Sequence, residues 1–373
     1  MESAGAPAVR FRWLGDHDGA RDNNFTIIRL IFASSVLFGH SWAITGTKGW
    51  DPISSLLAGY TWIGAVAVNG FFAISGFLVA GSLARQGVVG YLIARTLRIF
   101  PGLAVCITLS VFVLGLFYTT LPFWDYLLSP QTQRYLLNAT LVPRLEWSLP
   151  GVFTDHPHKA LNGSLWTLKA EAACYVALGM AGLAGLLRQR LTATLACVAF
   201  LAIGYVALQS IPVFGSHPNW SRPVGFFLLG VLVWVNRQSI LLHAGIAFIA
   251  LLAIAVMIGL QVPGRIFQPI SAVCFTYLIF FMAFAAPHIN ADRFPGDISY
   301  GVYIYSFPCQ QLVYWNGQSP YTNAALAALL TGSLAALSWY LIEKTALEFK
   351  KPVTAWIRGT WQPGLLTRIL RPM

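Results

Sequence analysis

Charge is what this sequence lacks. Only 10% of its 373 residues are Asp, Glu, Lys or Arg, and only 13 are acidic. Soluble domains carry about a quarter charged residues, so an ordinary water-soluble enzyme is excluded. Cysteine is scarce too. Cys106, Cys174, Cys197, Cys274 and Cys309 all fall in apolar stretches without Cys-x-x-Cys or Cys/His spacing, so neither a metal site nor a disulfide framework is expected. No internal repeat or low-complexity linker breaks the chain, which points to one integral domain. The segment through Asn24 is polar and has no apolar run ending in a small-residue cleavage site, so no removable signal peptide is expected.

Apolar residues are abundant: 57% of the chain, with a mean hydropathy of +0.64. Windows long enough to cross a bilayer run over about 25–44, 62–84, 99–118, 165–187, 191–211, 221–236, 240–260, 266–286, 298–315 and 322–342. The expected fold is therefore all-α, a polytopic bundle of about ten transmembrane helices. A net charge of +11 on a soluble protein would raise nucleic acid as a partner. Here the positive-inside rule accounts for it, and no nucleic acid is expected. With both termini inside, the inner segments hold 16 of the 24 Lys and Arg and the outer loops 6, while Arg29 and Lys169 lie within spans. That asymmetry predicts cytoplasmic termini, a cytoplasmic N-terminal segment (1–22), an integral membrane domain (23–351) and a basic cytoplasmic tail (352–373). The longest outer loop, 119–164, starts with an aromatic stretch suited to the interface. His156 and His158 flank Pro157 within it and read as solvated.

Ionisable groups inside spans are costly unless paired or hydrated, so each is a candidate functional residue. Arg29 and His40 are eleven positions apart on the first helix. That spacing is three turns plus 20°, so they share one face about 16 Å apart along the axis. Glu171 follows Ser164, which can cap the helix start, and seven residues return the two to one face. At comparable depth, Glu171 could orient the His40 imidazole. Arg95 and Arg98 form Arg-x-x-Arg ahead of Phe100-Pro101, a spacing that lets two guanidiniums converge on phosphate. Segment 69–77 offers small residues for close helix approach.

Taken in order, these motifs resemble acyltransferase family 3, membrane proteins that O-acylate bacterial glycans. The resemblance runs from about Asn23 to Lys351. It rests on Arg29 and His40, Phe71 to Phe77, Arg95 and Arg98, Ser164 to Glu171, Ile298 to Tyr300 and Ile342 to Lys344. Asn69 and Ser306 stand where many relatives carry Asp and His. Some relatives carry a fused extracytoplasmic esterase-like domain that this sequence lacks, so any final transfer is expected within this domain or on a partner.

The resemblance implies an acyl-coenzyme A donor, most often acetyl-CoA, no metal, membrane lipids as surroundings, and a glycan or lipid-linked sugar as acceptor in a bacterial inner membrane. Arg29, Arg95 and Arg98 would gather the donor's phosphates. His40 would act as general base, or accept the acyl group covalently, with Glu171 orienting it and Arg29 completing the catalytic set. Three other readings stay open on sequence alone: a transporter or flippase, a non-catalytic polysaccharide-assembly subunit, and the same enzyme with another acyl group such as succinyl.

Overall fold

The structure is a computed structural model that describes residues 12–17, 23–142, 144–206, 221–289, 296–350 and 352–354. Most of the N-terminal segment and of the basic tail, including Arg358, Arg368 and Arg371, lies outside them, as does the end of the expected 191–211 span.

Helices dominate: α1 (Phe25–Thr45), α2 (Ile63–Leu109), α3 (Leu165–Leu183), α4 (Arg190–Val206), α5 (Ser221–Val235), α6 (Ala244–Gly259), α7 (Gly264–Phe284), α8 (Ser299–Leu312) and α9 (Pro320–Ser338). The only ladder among the described residues pairs Arg12–Trp13 with Leu241–Leu242. Four helical stretches are long and apolar enough to cross a membrane: Phe25–Thr45, Ile63–Tyr118, Gly264–Phe284 and Pro320–Thr354. Three shorter apolar helices cover Arg190–Gly204, Ser221–Val235 and Ala244–Gly259.

Polarity is inverted relative to a soluble fold. Phe248, Ile249 and Leu251 on α6 are exposed, whereas Ser41, Asn162, Gln310, Gln311, Asn323 and Glu343 are almost fully buried. Apolar side chains outside and hydrogen-bonded polar ones inside suit a bilayer rather than water. Gln310 shows how the interior is tied together. Its Nε2 donates to the Leu37 carbonyl at 2.8 Å and to Ser41 Oγ at 2.7 Å, and its backbone carbonyl accepts from Asn323 Nδ2 at 3.0 Å, linking α1, α8 and α9, while its side-chain Oε1 has no partner among the described residues.

The 85–98 stretch, expected as a loop between two spans, is helical. As one straight rod the 47 residues of α2 would run about 70 Å, more than twice the hydrocarbon thickness. Gly87, at φ 70° and ψ 172°, breaks the rod in a conformation that side-chain-bearing residues avoid. The two arms meet the two expected windows, and Arg95 and Arg98 sit on the second arm rather than on a flexible connection.

Two wider, π-helical turns adjust the ladder at Ser110–Gly115 and Trp339–Glu343. The first frees the Val111 carbonyl for the Tyr126 hydroxyl at 2.9 Å. The second delivers Glu343 to the interior at 1% exposure.

The small residues of segment 69–77 do pack helices closely. A Cβ on Gly76 would stand 2.0 Å from the Phe227 carbonyl oxygen, and one on Gly230 would stand 2.0 Å from that of Ala73. The α2 and α5 backbones therefore touch directly. Gly76→Val or Gly230→Val should force them apart and cost about 1–3 kcal/mol through overpacking. A fall in the detergent-solubilised protein's melting temperature checks this; an unchanged value would refute the close contact.

Candidate active site

The expectation that Arg29 and His40 share a face holds, and α8 is the element they face. Arg29 Nη1 lies 3.0 Å from Asp297 Oδ2, just ahead of α8. The His40 ring meets Phe307 edge-on at 5.1 Å between centroids. Eleven residues separate the two positions on α1 and ten separate their partners around α8, so the two helices climb together over about 15–16 Å.

At the arginine end, Asp297 also accepts from Arg98 Nη2 at 2.7 Å and from Ser299 Oγ at 2.6 Å. Arg98 reaches Glu343 Oε2 at 3.4 Å, and Ser338 Oγ holds the other Glu343 oxygen at 3.0 Å. The Arg98 guanidinium lies over the Tyr300 and Trp339 rings at 5.7 and 5.5 Å, a favourable cation–π arrangement. Burial works against the Asp297 carboxylate, but Arg29 and Arg98 outweigh it and hold its pKa down to about 2.

Arg95, one turn before Arg98, differs. No hydrogen bond or ion pair reaches it among the described residues, and its Nε is a buried donor without a partner. A buried guanidinium N–H without a partner is costly, so such a donor is expected where an anion completes the site.

Arg29, Arg95 and Arg98 line one partly open cavity together with Glu171. Its walls are otherwise largely apolar and aromatic, including Phe71, Phe72 and Tyr175. At the far side stand Thr167 and Tyr303, hydrogen-bonded through their hydroxyls at 2.5 Å. Phe307, which touches His40, lies one turn beyond Tyr303 on α8. The cavity thus runs from the arginines toward the histidine and stops one helical turn short of it.

Two expectations need correction. Glu171 does not meet His40 through a hydrogen bond: its Oε1 accepts from Ser75 Oγ at 2.7 Å and from the Tyr175 hydroxyl, on the arginine-lined cavity. The helix bearing Glu171 passes beside α2, not beside the outer part of α1. Ser164 does not cap α3 with its side chain. Asn162 Oδ1 takes the Ser164 N–H at 3.1 Å instead, leaving Ser164 Oγ buried without a partner.

The outer histidines also differ from solvated loop residues. His158 meets the other side of the Phe307 neighbourhood at 5.4 Å, and burial pushes its pKa below the usual imidazole value. His156 stacks on Phe153 at 4.5 Å, and its Nδ1 lies 2.8 Å from Gln311 Oε1. Gln311 Nε2 donates to the carbonyls of His158 and Ala160, both at 2.6 Å, so one α8 side chain pins this loop beside His40. Ser306 turns inward and donates to the Tyr303 carbonyl at 3.1 Å, entirely buried.

Asp297, Ser75, Tyr175 and the Thr167–Tyr303 pair were not singled out from sequence as site residues. Only Asp297 carried a usable signal, a rare acid at the mouth of an apolar span.

A bundle of apolar helices enclosing arginines, a carboxylate and a histidine fits chemistry performed within a membrane. The comparisons identify the class. The acyltransferase family 3 pattern, described as an acyltransferase domain, matches residues 22–343. The chain belongs to that family and is an acyltransferase. It is 29% identical over 347 aligned positions to a protein named O-acetyl transferase from Shigella phage Sf6, covering 89% of this chain and 98% of the relative. It is 28% identical over 387 positions to nodulation protein 10 of Rhizobium leguminosarum bv. viciae, covering 91% and 97%. No solved structure matches the chain.

Asp297→Asn should leave Arg29 and Arg98 without their shared counter-charge. Stability should fall by on the order of 3 kcal/mol, the loss expected when one member of a largely buried ion pair is removed. Thermal unfolding in detergent measures it; a wild-type midpoint would mean that the cluster adds no stability.

Proposed function

We propose that this protein is a membrane-embedded O-acetyltransferase that moves an acetyl group from cytoplasmic acetyl-CoA to a hydroxyl of a surface or exported glycan. The observation that carries this reading is Arg95. Its Nε is a buried donor without a partner among the described residues, and its side chain lines a cavity shared with Arg98 and with Arg29, which lies on the face of α1 that also bears His40. The name of the phage relative supports acetyl as the group and oxygen as the acceptor atom.

The donor set suits a phosphorylated carrier. Guanidiniums recognise phosphate through paired N–H groups, and Arg95 Nε has no partner among the described residues. Arg29 and Arg98 keep N–H groups beyond those used by Asp297 and Glu343. The apolar walls between the arginines and Tyr303 suit an extended, weakly polar arm. The rise of about 16 Å from Arg29 to His40 matches an arm that delivers its thioester one turn past the Thr167–Tyr303 pair.

His40 then serves as general base. As the glycan hydroxyl oxygen attacks the thioester carbonyl carbon, His40 takes the hydroxyl proton. The carbon–sulfur bond breaks, and the coenzyme thiolate leaves and is reprotonated. No hydrogen-bond partner fixes the His40 ring among the described residues; Trp62 and Phe307 hold it by contact, at 5.2 and 5.1 Å between centroids. Glu171 acts at the donor end in this reading, where Ser75 and Tyr175 hold its carboxylate on the same cavity as Arg95.

The cationic end is assigned to the cytoplasm and both chain ends with it, in a bundle of about ten spans. The sequence charge asymmetry supports that orientation, as does the need for the donor pool and the exported acceptor to meet from opposite sides.

His40→Ala should abolish glycan acetylation at normal protein level and insertion, and retained acetylation would remove His40 from the mechanism. Arg95→Ala should weaken coenzyme A binding by tenfold or more, since a charge-assisted contact is worth about 1.5–3 kcal/mol. Calorimetry on the solubilised protein reads this, and unchanged affinity would overturn the phosphate role.

A further inference from the structure

His40 belongs to a row of aromatic rings that reaches the protein surface. Trp50 is 68% exposed, and its ring lies 6.3 Å from that of Trp62 at an interplanar angle of 33°. Trp62 meets His40 at 5.2 Å, His40 meets Phe307 at 5.1 Å, and Phe307 meets His158 at 5.4 Å. Each spacing falls within the contact range of aromatic pairs.

The outer part of this row is built, not incidental. Buried Asp51 accepts from the Ile53 and Ser54 N–H groups through Oδ1, at 3.0 and 3.2 Å, and from the Ile63 N–H through Oδ2, at 3.2 Å. One carboxylate thereby fixes the backbone directly after Trp50 and directly after Trp62. The opposite wall is pinned as well, because Gln311 holds the His158 and Ala160 carbonyls, and Pro157 packs against the left-handed turn at Gly46 that ends α1.

We infer that Trp50 and Trp62 form a saccharide-binding platform that guides the acceptor sugar to His40, an inference that rests on the acetyl-transfer reading above. The chemistry is specific to carbohydrate. A pyranose presents C–H faces of partial positive charge, which match the electron-rich faces of indole rings. Its rim hydroxyls match imidazole nitrogens, and His40 and His158 stand at the inner end of the row. Rigid indoles also bind with little loss of side-chain freedom. An anchor at the membrane interface, the other common use of tryptophan, has no need of a row that runs through a histidine one helical turn from the donor cavity.

The test uses the full chain in detergent, with oligosaccharide released from the surface glycan of cells lacking this protein. Calorimetry should show that wild type binds it, that Trp50→Ala weakens binding at least fivefold with acetyl-CoA affinity kept within twofold, and that Trp50→Tyr restores most of the loss. Trp50→Ala that binds the oligosaccharide like wild type, or that loses acetyl-CoA affinity and melting temperature equally, overturns the platform. Wild type that binds no such oligosaccharide overturns it too. Oligosaccharide binding that depends on Trp50, without acetyl transfer to the intact glycan, leaves the platform standing and refutes the acetyl-transfer reading instead.

Discussion

The Asp297 carboxylate is the constraint on which the rest of the arrangement depends. It joins Arg29 on α1 to Arg98 on α2 from the start of α8, so three helices distant in sequence meet at one acid. In apolar surroundings none of these charges is tolerable alone. Their pairing therefore fixes how far each helix is inserted relative to the others. Once Arg29 is set against Asp297, the rise per residue of α1 and α8 carries His40 to Phe307 with no further adjustable element. On the proposed mechanism, the chemistry at the His40 end would be positioned by the electrostatics at the other.

The same cluster explains why two neighbouring arginines do different work. Arg98 has two carboxylates and two aromatic faces around it, an environment that consumes its charge. Arg95, three residues earlier on the same face, has none of these and turns its donors into the cavity. Treating Arg-x-x-Arg as a symmetrical phosphate clamp misses that division. One arginine ties the helices together, and the other keeps a buried donor without a partner among the described residues.

Much of the helical pattern was readable because it rests on local rules. Among the described residues each expected apolar window overlaps a helix, and the 3.6-residue period placed Arg29 and His40 on one face. The failures share a cause: they turn on which helices become neighbours. Gly87 looks like a loop residue, yet long-range packing keeps both flanks helical and uses its positive φ as a kink. Ser164 and Glu171 were correctly placed on one helix but given the wrong partners, since periodicity says which residues share a face and not what that face meets. Asn162, not Ser164, supplies the side-chain acceptor at the α3 start, because it sits two residues ahead of the N–H it receives.

On the proposed function, the protein would have to keep water from a thioester while admitting two hydrophilic substrates, and the distribution of side chains suits that demand. Within the cavity the cations gather at one end, where Arg29 and Arg98 share Asp297 and Arg98 also meets Glu343. The middle is closed by a hydrogen bond between two hydroxyls, Thr167 and Tyr303, which a passing donor can break at modest cost because each hydroxyl has an alternative carbonyl on Ser164 nearby. Beyond it the row of rings offers contact surface without charge. His40 is placed where the two regimes meet. In the proposed mechanism a base there would face an apolar approach from one side and a hydroxyl-bearing ligand from the other, so proton transfer to it would be coupled to both substrates being present rather than to solvent.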